Sequence, residues 1–264
     1  MKTLKGTLLA AVLTLAISGT AFATPSTQVW IPSPDVKGFG EVNLGIDYYG
    51  RFSQKSSAGP NMYDLGATVG VSPFENLKLE IGFDYLTTNL QNDNEFDKHP
   101  FYFNAKLGTP EDAFGVKGLP SVALGIYNMG TFDKPEVATS TRQNIVYGLV
   151  GKTLPIVGRL SAGGYYGSQR ALSAGTNQKN SNSGIMASWD RTMSEISDKL
   201  WLAVDYMSGN NANGALSVGG SWAFSKNISL LVGTVFFNPL YKPSQNEALP
   251  GGKPAFTTQL DITF

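Results

Sequence analysis

One rule recurs along this 264-residue chain: apolar side chains fall at every second position, in runs of strand length. The last nine residues, FTTQLDITF, show it plainly. Phe256, Leu260, Ile262 and Phe264 share one phase with Thr258, and Thr257, Gln259, Asp261 and Thr263 share the other. Period two is the signature of a strand with one apolar and one wet face, and it is incompatible with an amphipathic helix. The same alternation runs through GEVNLGIDYYG, YDLGATVGV, NLKLEIGFDYL, FYFNAKLG, PSVALGIYN, NIVYGLVGK, GRLSAGGYYG, GIMASWD, KLWLAVDYM, ALSVGGSWAFS and NISLLVGTVFF. With the terminal run this makes about twelve strands. In NIVYGLVGK the apolar phase is read as Ile145, Tyr147 and Leu149, against Asn144, Val146 and Lys152.

Charge follows the phase. The polar face collects Glu41, Asp47, Asp64, Lys78, Glu80, Asp84, Lys106, Lys152, Arg159, Asp190, Lys199, Asp205 and Asp261, and the apolar face carries no charge within the strand cores. Each register is chosen from its apolar residues, so part of this segregation is built in. Most runs reach about nine to eleven residues, longer than the usual five or six of a soluble sandwich and long enough for a tilted strand to cross a bilayer. Tyr48, Tyr63, Tyr85, Phe101, Tyr166, Tyr206, Phe236 and Phe256 fall near one kind of strand end; Trp189, Trp222, Phe224 and Phe264 fall near the other. Two such bands are expected where amphipathic rings sit at membrane interfaces. Leu79 is then expected to face lipid and Glu80 water, so replacing Glu80 by Gln should be far milder than replacing Leu79 by Arg.

The start of the chain fits export. Lys2 and Lys5 precede an apolar stretch from Leu8 to Ile17, followed by Ala21-Phe22-Ala23. This is the pattern of a secretory signal peptide over residues 1–23, too short for a bilayer span. Removing it takes two of 20 bases and no acid, leaving 18 against 20. Such a balance gives no sign of nucleic-acid binding. There is no Cys, which excludes disulfides, lipidation at a Cys and thiolate metal sites.

Connections alternate in length. SPFEN, TLPIVG, TMSEISD and SKN are short, with GTPEDAFGVKGLP longer; between them lie mostly longer, Asn- and Ser-rich loops, TFDKPEVATSTRQ among them. Short turns on the side of the termini and longer loops opposite are what an outer-membrane barrel shows. Taken together, the segment from residue 40 to 264 resembles a bacterial outer-membrane β-barrel of the porin-like class: all-β, transmembrane, antiparallel and up-and-down. FTTQLDITF resembles the C-terminal signal of that class, so the resemblance implies that Phe264 is read by the barrel-assembly machinery. It further implies outer-membrane lipid and lipopolysaccharide as surroundings and small solutes as cargo.

Function is read from the interior. Glu41, Asp47, Asp64, Lys78, Glu80, Asp84, Lys106, Arg159, Asp190, Asp205 and Asp261 are the candidates for lining it. Acids outnumber bases there, which favours cations weakly; a network of mutual ion pairs is the blander reading and the preferred one. Inward Gly45, Gly66, Gly70, Gly82, Gly125, Gly148, Gly163 and Gly219, with Ser221, either leave room for solute or only let strands bend and pack. Val146, Val150, Met186, Trp201, Met207, Leu231 and Phe237 are apolar yet inward. They can receive Trp30 and Ile31 of the Pro-rich stretch 24–39, line a path for an apolar solute, or fill a closed barrel. Ordering that stretch costs roughly 1 kcal/mol or more per residue, so a free tail is favoured slightly over a plug.

A passive porin-like channel is the first reading, a closed structural or binding barrel the second, and a lipid hydrolase the third. The single histidine, His99, lies at a loop edge with no nucleophile motif near it. Asp93, Glu95 and Asp97 lack the calcium-loop pattern. No metal or cofactor is expected.

Overall fold

The computed structural model describes residues 26–55, 58–89, 94–136, 139–172, 181–241 and 250–264. The stretch 1–23 expected to be a signal peptide, and Asp93, lie outside these. Twelve strands form one closed antiparallel barrel. They are β1 Val42–Arg51, β2 Met62–Gly70, β3 Lys78–Thr87, β4 Phe101–Thr109, β5 Ser121–Asp133, β6 Ser140–Leu154, β7 Gly158–Tyr166, β8 Ser183–Thr192, β9 Leu200–Met207, β10 Ala215–Ala223, β11 Ile228–Phe237 and β12 Ala255–Thr263. A single helical turn, α1 (Gln169–Leu172), follows β7. Each strand pairs with its sequence neighbours, and β12 closes on β1 through pairs running from Asn43–Thr263 to Arg51–Ala255. Closure leaves no free sheet edge, which an up-and-down sheet this long otherwise exposes.

Alternation places the side chains as period two requires. Leu44, Ile46, Leu65, Ile81, Phe83, Phe103 and Leu107 are exposed on the outside, while Glu80, Tyr102, Lys106, Met186 and Asp205 are buried inside. Outward aromatics gather at the long-loop end of adjacent strands. Tyr48 lies 5.0 Å from Tyr63 and 5.6 Å from Phe256, and Tyr85 lies 5.5 Å from Phe101, ring centre to ring centre. At the other end the Trp189 indole donates to the Val157 carbonyl of a turn.

Strand β6 runs against the sequence reading. Ile145, Tyr147 and Leu149 are buried inside, and Val146 and Val150 are exposed outside, so Gly148 and Lys152 also belong to the outward phase. Both phases of this segment are apolar, so alternation alone cannot choose between them. What decides is the interior here, where Ile145, Tyr147 and Leu149 pack with Ile31, Leu172, Met186 and Met207. The β5–β6 ladder also shifts register after Tyr127, near Asn128 and Asn144, both with positive φ. The two strands extend to Asp133 and from Ser140, which leaves a much shorter loop than TFDKPEVATSTRQ suggests. Lys152 sits at the turn-end rim, paired with Glu111 at 2.9 Å, and Lys199 is exposed in the β8–β9 turn.

Candidate functional site

The stretch before β1 enters the barrel. Residues 26–33 double back on themselves: Gln28 N–H donates to Ile31 O at 2.7 Å and Ser33 N–H to Ser26 O at 3.0 Å. At the tip of this reversal, Val29 and Ile31 are each 1% exposed. Trp30 stands edge-on to Tyr49 and to Phe237, both at 5.3 Å. The free-tail expectation is therefore overturned. Ordering entropy is offset because the wall supplies partners for many polar groups of the segment, although Gln28 Oε1 is left without one. Asp205 accepts from the Val29 and Trp30 amides, Gln259 donates to Val29 O, and Trp30 Nε1 donates to Asn213 O. Gln28 donates to Asp190, Lys106 to Ser26 O, and the Lys37 amide to Glu80. Hydrogen bonds to charged groups contribute about 1.5–3 kcal/mol each, more than neutral ones.

Glycines carve the bed in which the segment lies. A Cβ at Gly219 would sit 3.0 Å from Val29 Cγ2, one at Gly151 2.7 Å from Pro34 Cγ, one at Gly108 2.9 Å from Val36 Cγ2, and one at Gly70 1.8 Å from the Gly38 carbonyl oxygen. Gly70 and Gly219 are thus inside, and there they make room for the chain's own backbone. Gly148 is not among the inward residues, because β6 is inverted.

The charged candidates divide into two groups. Glu80 and Lys106 form a buried ion pair at 3.1 Å. Arg159 bridges Asp190, at 2.9 Å, and Asp35 of the inserted segment. Glu41 pairs with Lys37 at 3.1 Å. These residues are the pairing network, and half of it reaches the segment. Lys78 lies half-buried at the turn end of β3. The second group has no ion pair among the described residues: Asp47, Asp64, Asp84, Asp205 and Asp261. Asp205 is occupied by the segment's amides, Asp84 accepts from Asn104 at 2.8 Å and Asp261 from Asn43 at 3.0 Å. Asp47 and Asp64 stand directly opposite one another in the β1–β2 ladder.

Beside the inserted segment an open cavity of about 230 Å³ remains, bordered by Trp30, Asp47, Asp64, Asp84, Tyr102 and Asp261. Sequence reasoning missed the segment's Gln28, Asp35 and Lys37, the wall residues Gln259 and Asn213, and Tyr102. The charges of Asp35 and Lys37 beside a Trp among prolines were the available signal.

The loop between β3 and β4 is organised around Asp97. Its carboxylate accepts from the Thr87 and Thr88 hydroxyls, the Thr88 amide and Asn94. Burial works to raise this carboxyl, yet those hydrogen bonds outweigh it and hold it below the usual carboxylate value. His99 stacks on Phe132 at 4.3 Å and lies 4.0 Å from Glu95. Among the described residues no three His, Asp or Glu side chains come close enough to hold one metal ion.

Fold and site define a plugged, up-and-down antiparallel β-barrel. Among solved structures it is similar to porin barrels. A mutant of the Rh. blastica porin matches with a TM-score of 0.35 at 9% identity, over 81% of this chain and 61% of that one. Salmonella typhi OmpF, in a complex with daunomycin, matches with a TM-score of 0.38 at 8% identity, over 85% of this chain and 96% of that one. This chain thus spans about three fifths of the length of the first and nearly all of the second. No protein-family profile and no curated protein sequence matches it.

Proposed function

We propose that this barrel sits in a bacterial outer membrane and passes small solutes, preferring cations, through an interior narrowed by its own N-terminal segment. The observation that carries this reading is the set of cavity carboxylates, Asp47, Asp64, Asp84 and Asp261, with no ion pair among the described residues. Charge of one sign in a confined interior raises the local concentration of counter-ions. Bare outward faces of Leu, Ile, Val and Phe suit lipid, with lipopolysaccharide on the long-loop side. Export through residues 1–23 and recognition of Phe264 by the assembly machinery belong to the same reading. The chemistry is passage, not catalysis: His99 is stacked on Phe132 in a loop, away from the acid-lined cavity.

The test is current through planar bilayers holding the purified barrel. Stepwise conductance is expected, with a reversal potential displaced toward the potassium equilibrium potential in a KCl gradient. An anion-directed reversal potential overturns the cation preference. Electrical silence favours the second reading, a closed binding or structural barrel, which the depth of burial of Val29 and Ile31 supports.

A further inference from the structure

We propose that the cavity between the inserted segment and the wall formed by β12, β1, β2 and β3 binds a linear aliphatic diamine or polyamine. This deepens the cation-preferring reading of the interior by naming the ligand class.

The wall holds more negative charge than it neutralises. Asp47 and Asp64 are cross-strand partners, an arrangement that destabilises a sheet when both are charged. One step toward the turn end, Asp261 is the ladder partner of Gly45, Gly45 of Gly66, and Gly66 of Asp84. Four carboxylates thus form a broken row across four neighbouring strands. The buried cations of the interior are committed elsewhere, Lys106 to Glu80, Arg159 to Asp35 and Asp190, Lys37 to Glu41, while Arg51 is held at the loop end by the Pro60 and Lys253 carbonyls and Lys78 lies at the turn end.

A second observation points to a donor that the protein does not supply. Tyr102 borders the same cavity and is 2% exposed, and its hydroxyl forms no well-aligned hydrogen bond. The Thr141 hydroxyl lies within reach of it and is itself bonded to the Phe132 backbone. Asp64 Oδ1 is likewise buried without a donor. Buried polar atoms are seldom left unmet, and here two of them border one space. A phenol oxygen and a carboxylate oxygen both accept. An ammonium group carries donors and no acceptor, so it meets the accepting side of both oxygens and the charge together, and leaves the phenol O–H free to donate to a carboxylate.

The spacing selects the form of the cation. No three of the described carboxylates gather closely enough to ligate a metal ion, so one compact charge answers at most part of the row. Positive charges spaced along a chain answer it one by one. Gly45 leaves the wall beside Asp261 without a side chain, so methylenes have a surface to lie against, and the Asp84 carboxylate leans over Gly66. Trp30 and Tyr49 border the space, and aromatic rings attract ammonium groups. At about 230 Å³ the cavity is smaller than a typical pocket for a drug-sized ligand, roughly 300–1,000 Å³, which suits a slender chain.

The experiment is titration calorimetry on the full chain refolded in detergent micelles, with 1,4-diaminobutane and spermidine as probes and n-butylamine, K⁺ and Ca²⁺ as comparators. Expected is binding of the diamine or spermidine at least tenfold tighter than butylamine. The Asp64→Asn/Asp84→Asn double variant should weaken it at least tenfold, and Tyr102→Phe severalfold. Glu195→Gln, in an exposed turn, should leave it unchanged. Heat-modifiable mobility on gels shows that each variant is folded, and Tyr102→Phe removes one oxygen only should the double variant fail to fold. Equal affinity for butylamine and diamine, tighter binding of Ca²⁺, or no heat with any probe overturns the proposal. The bilayer measurement is separate. A barrel that conducts without binding loses this site and keeps the channel, whereas one that binds without conducting keeps the site and loses passage.

Discussion

Asp205 and Val29 are joined inside the barrel: the Val29 amide donates to Asp205 Oδ2 at 2.7 Å, and the Trp30 amide donates to the same oxygen at 2.9 Å. One carboxylate oxygen on β9 thus holds the tip of the N-terminal reversal. Each hydrogen bond to a charged acceptor is worth about 1.5–3 kcal/mol. Asp205→Ala is expected to loosen the segment, to speed proteolysis between residues 26 and 39, and to raise single-channel conductance. Gly219→Val should do the same by a different route, because its Cβ would meet Val29 Cγ2 at 3.0 Å while Asp205 stays intact. Unchanged proteolysis and conductance in both variants would mean that the tip is held by other contacts.

The Glu80–Lys106 pair changes what a substitution at Glu80 should do. Alternation predicts a water-facing residue that tolerates Gln. Instead Glu80 is buried, pairs with Lys106 at 3.1 Å, and accepts from the Lys37 amide at 2.7 Å. Removing one partner of a buried pair costs about 3–5 kcal/mol, because the remaining charge is left uncompensated. Glu80→Gln is therefore expected to destabilise about as much as Leu79→Arg, for which roughly 2–4 kcal/mol applies at the bilayer midplane. Glu80→Leu with Lys106→Met removes both charges and should recover only part of the loss, because the Lys37 amide and the Ser26 carbonyl then lose their partners. Urea titrations of the refolded barrel decide it, and a neutral Glu80→Gln rules out a structural role for the pair.

How much is legible in the sequence varies with how far a residue's surroundings lie along the chain. Period two is local, and it places Leu44 and Ile46 outside and Asp47 inside from a single short run. It fails at NIVYGLVGK, where both phases are apolar and the choice belongs to Ile31, Met186 and Met207, contributed by distant segments. The inserted segment is illegible for a related reason. Its entropy cost can be read from its length, but the partners that offset it, Asp205 and Gln259, lie some 176 and 230 residues away. Asn211 shows the same limit. It reads as an exposed loop residue, yet it is fully buried and bonds to Tyr165 and Ser181.

The inverted face of β6 is directly measurable. Tryptophan placed at Val150 should be quenched by brominated lipid tails, because Val150 is 48% exposed on the outer face. Tryptophan at Gly148, in the same phase, should be quenched as well. Leu149, 1% exposed, should be reached only by quenchers that enter the interior, if the larger ring is accommodated at all. Replacing Val150 by Arg should cost about 2–4 kcal/mol near the midplane. Strong lipid quenching at position 149 and none at 150 would restore the original phase.

The assembly-label role proposed for Phe264 and its part in the β1–β12 seam are separated by one pair of variants. The Phe264 amide donates to Val42 O at 2.8 Å, and its carbonyl accepts from the Val42 amide at 3.2 Å, so the backbone of the final residue completes the β1–β12 seam. Its ring is half-exposed, on the outside of the barrel's turn end. Deleting Phe264 removes both the seam pair and the ring. Phe264→Ala keeps the backbone pair and removes only the ring. If the ring is the assembly label, both variants lose folded, heat-modifiable protein in cells and accumulate in the periplasm. In vitro the two should part: Phe264→Ala refolds with near-normal stability, whereas the deletion loses the seam's end pair, at about 0.5–1.5 kcal/mol per hydrogen bond. Normal assembly of Phe264→Ala in cells would take the label away from the ring and leave Phe264 with the seam alone.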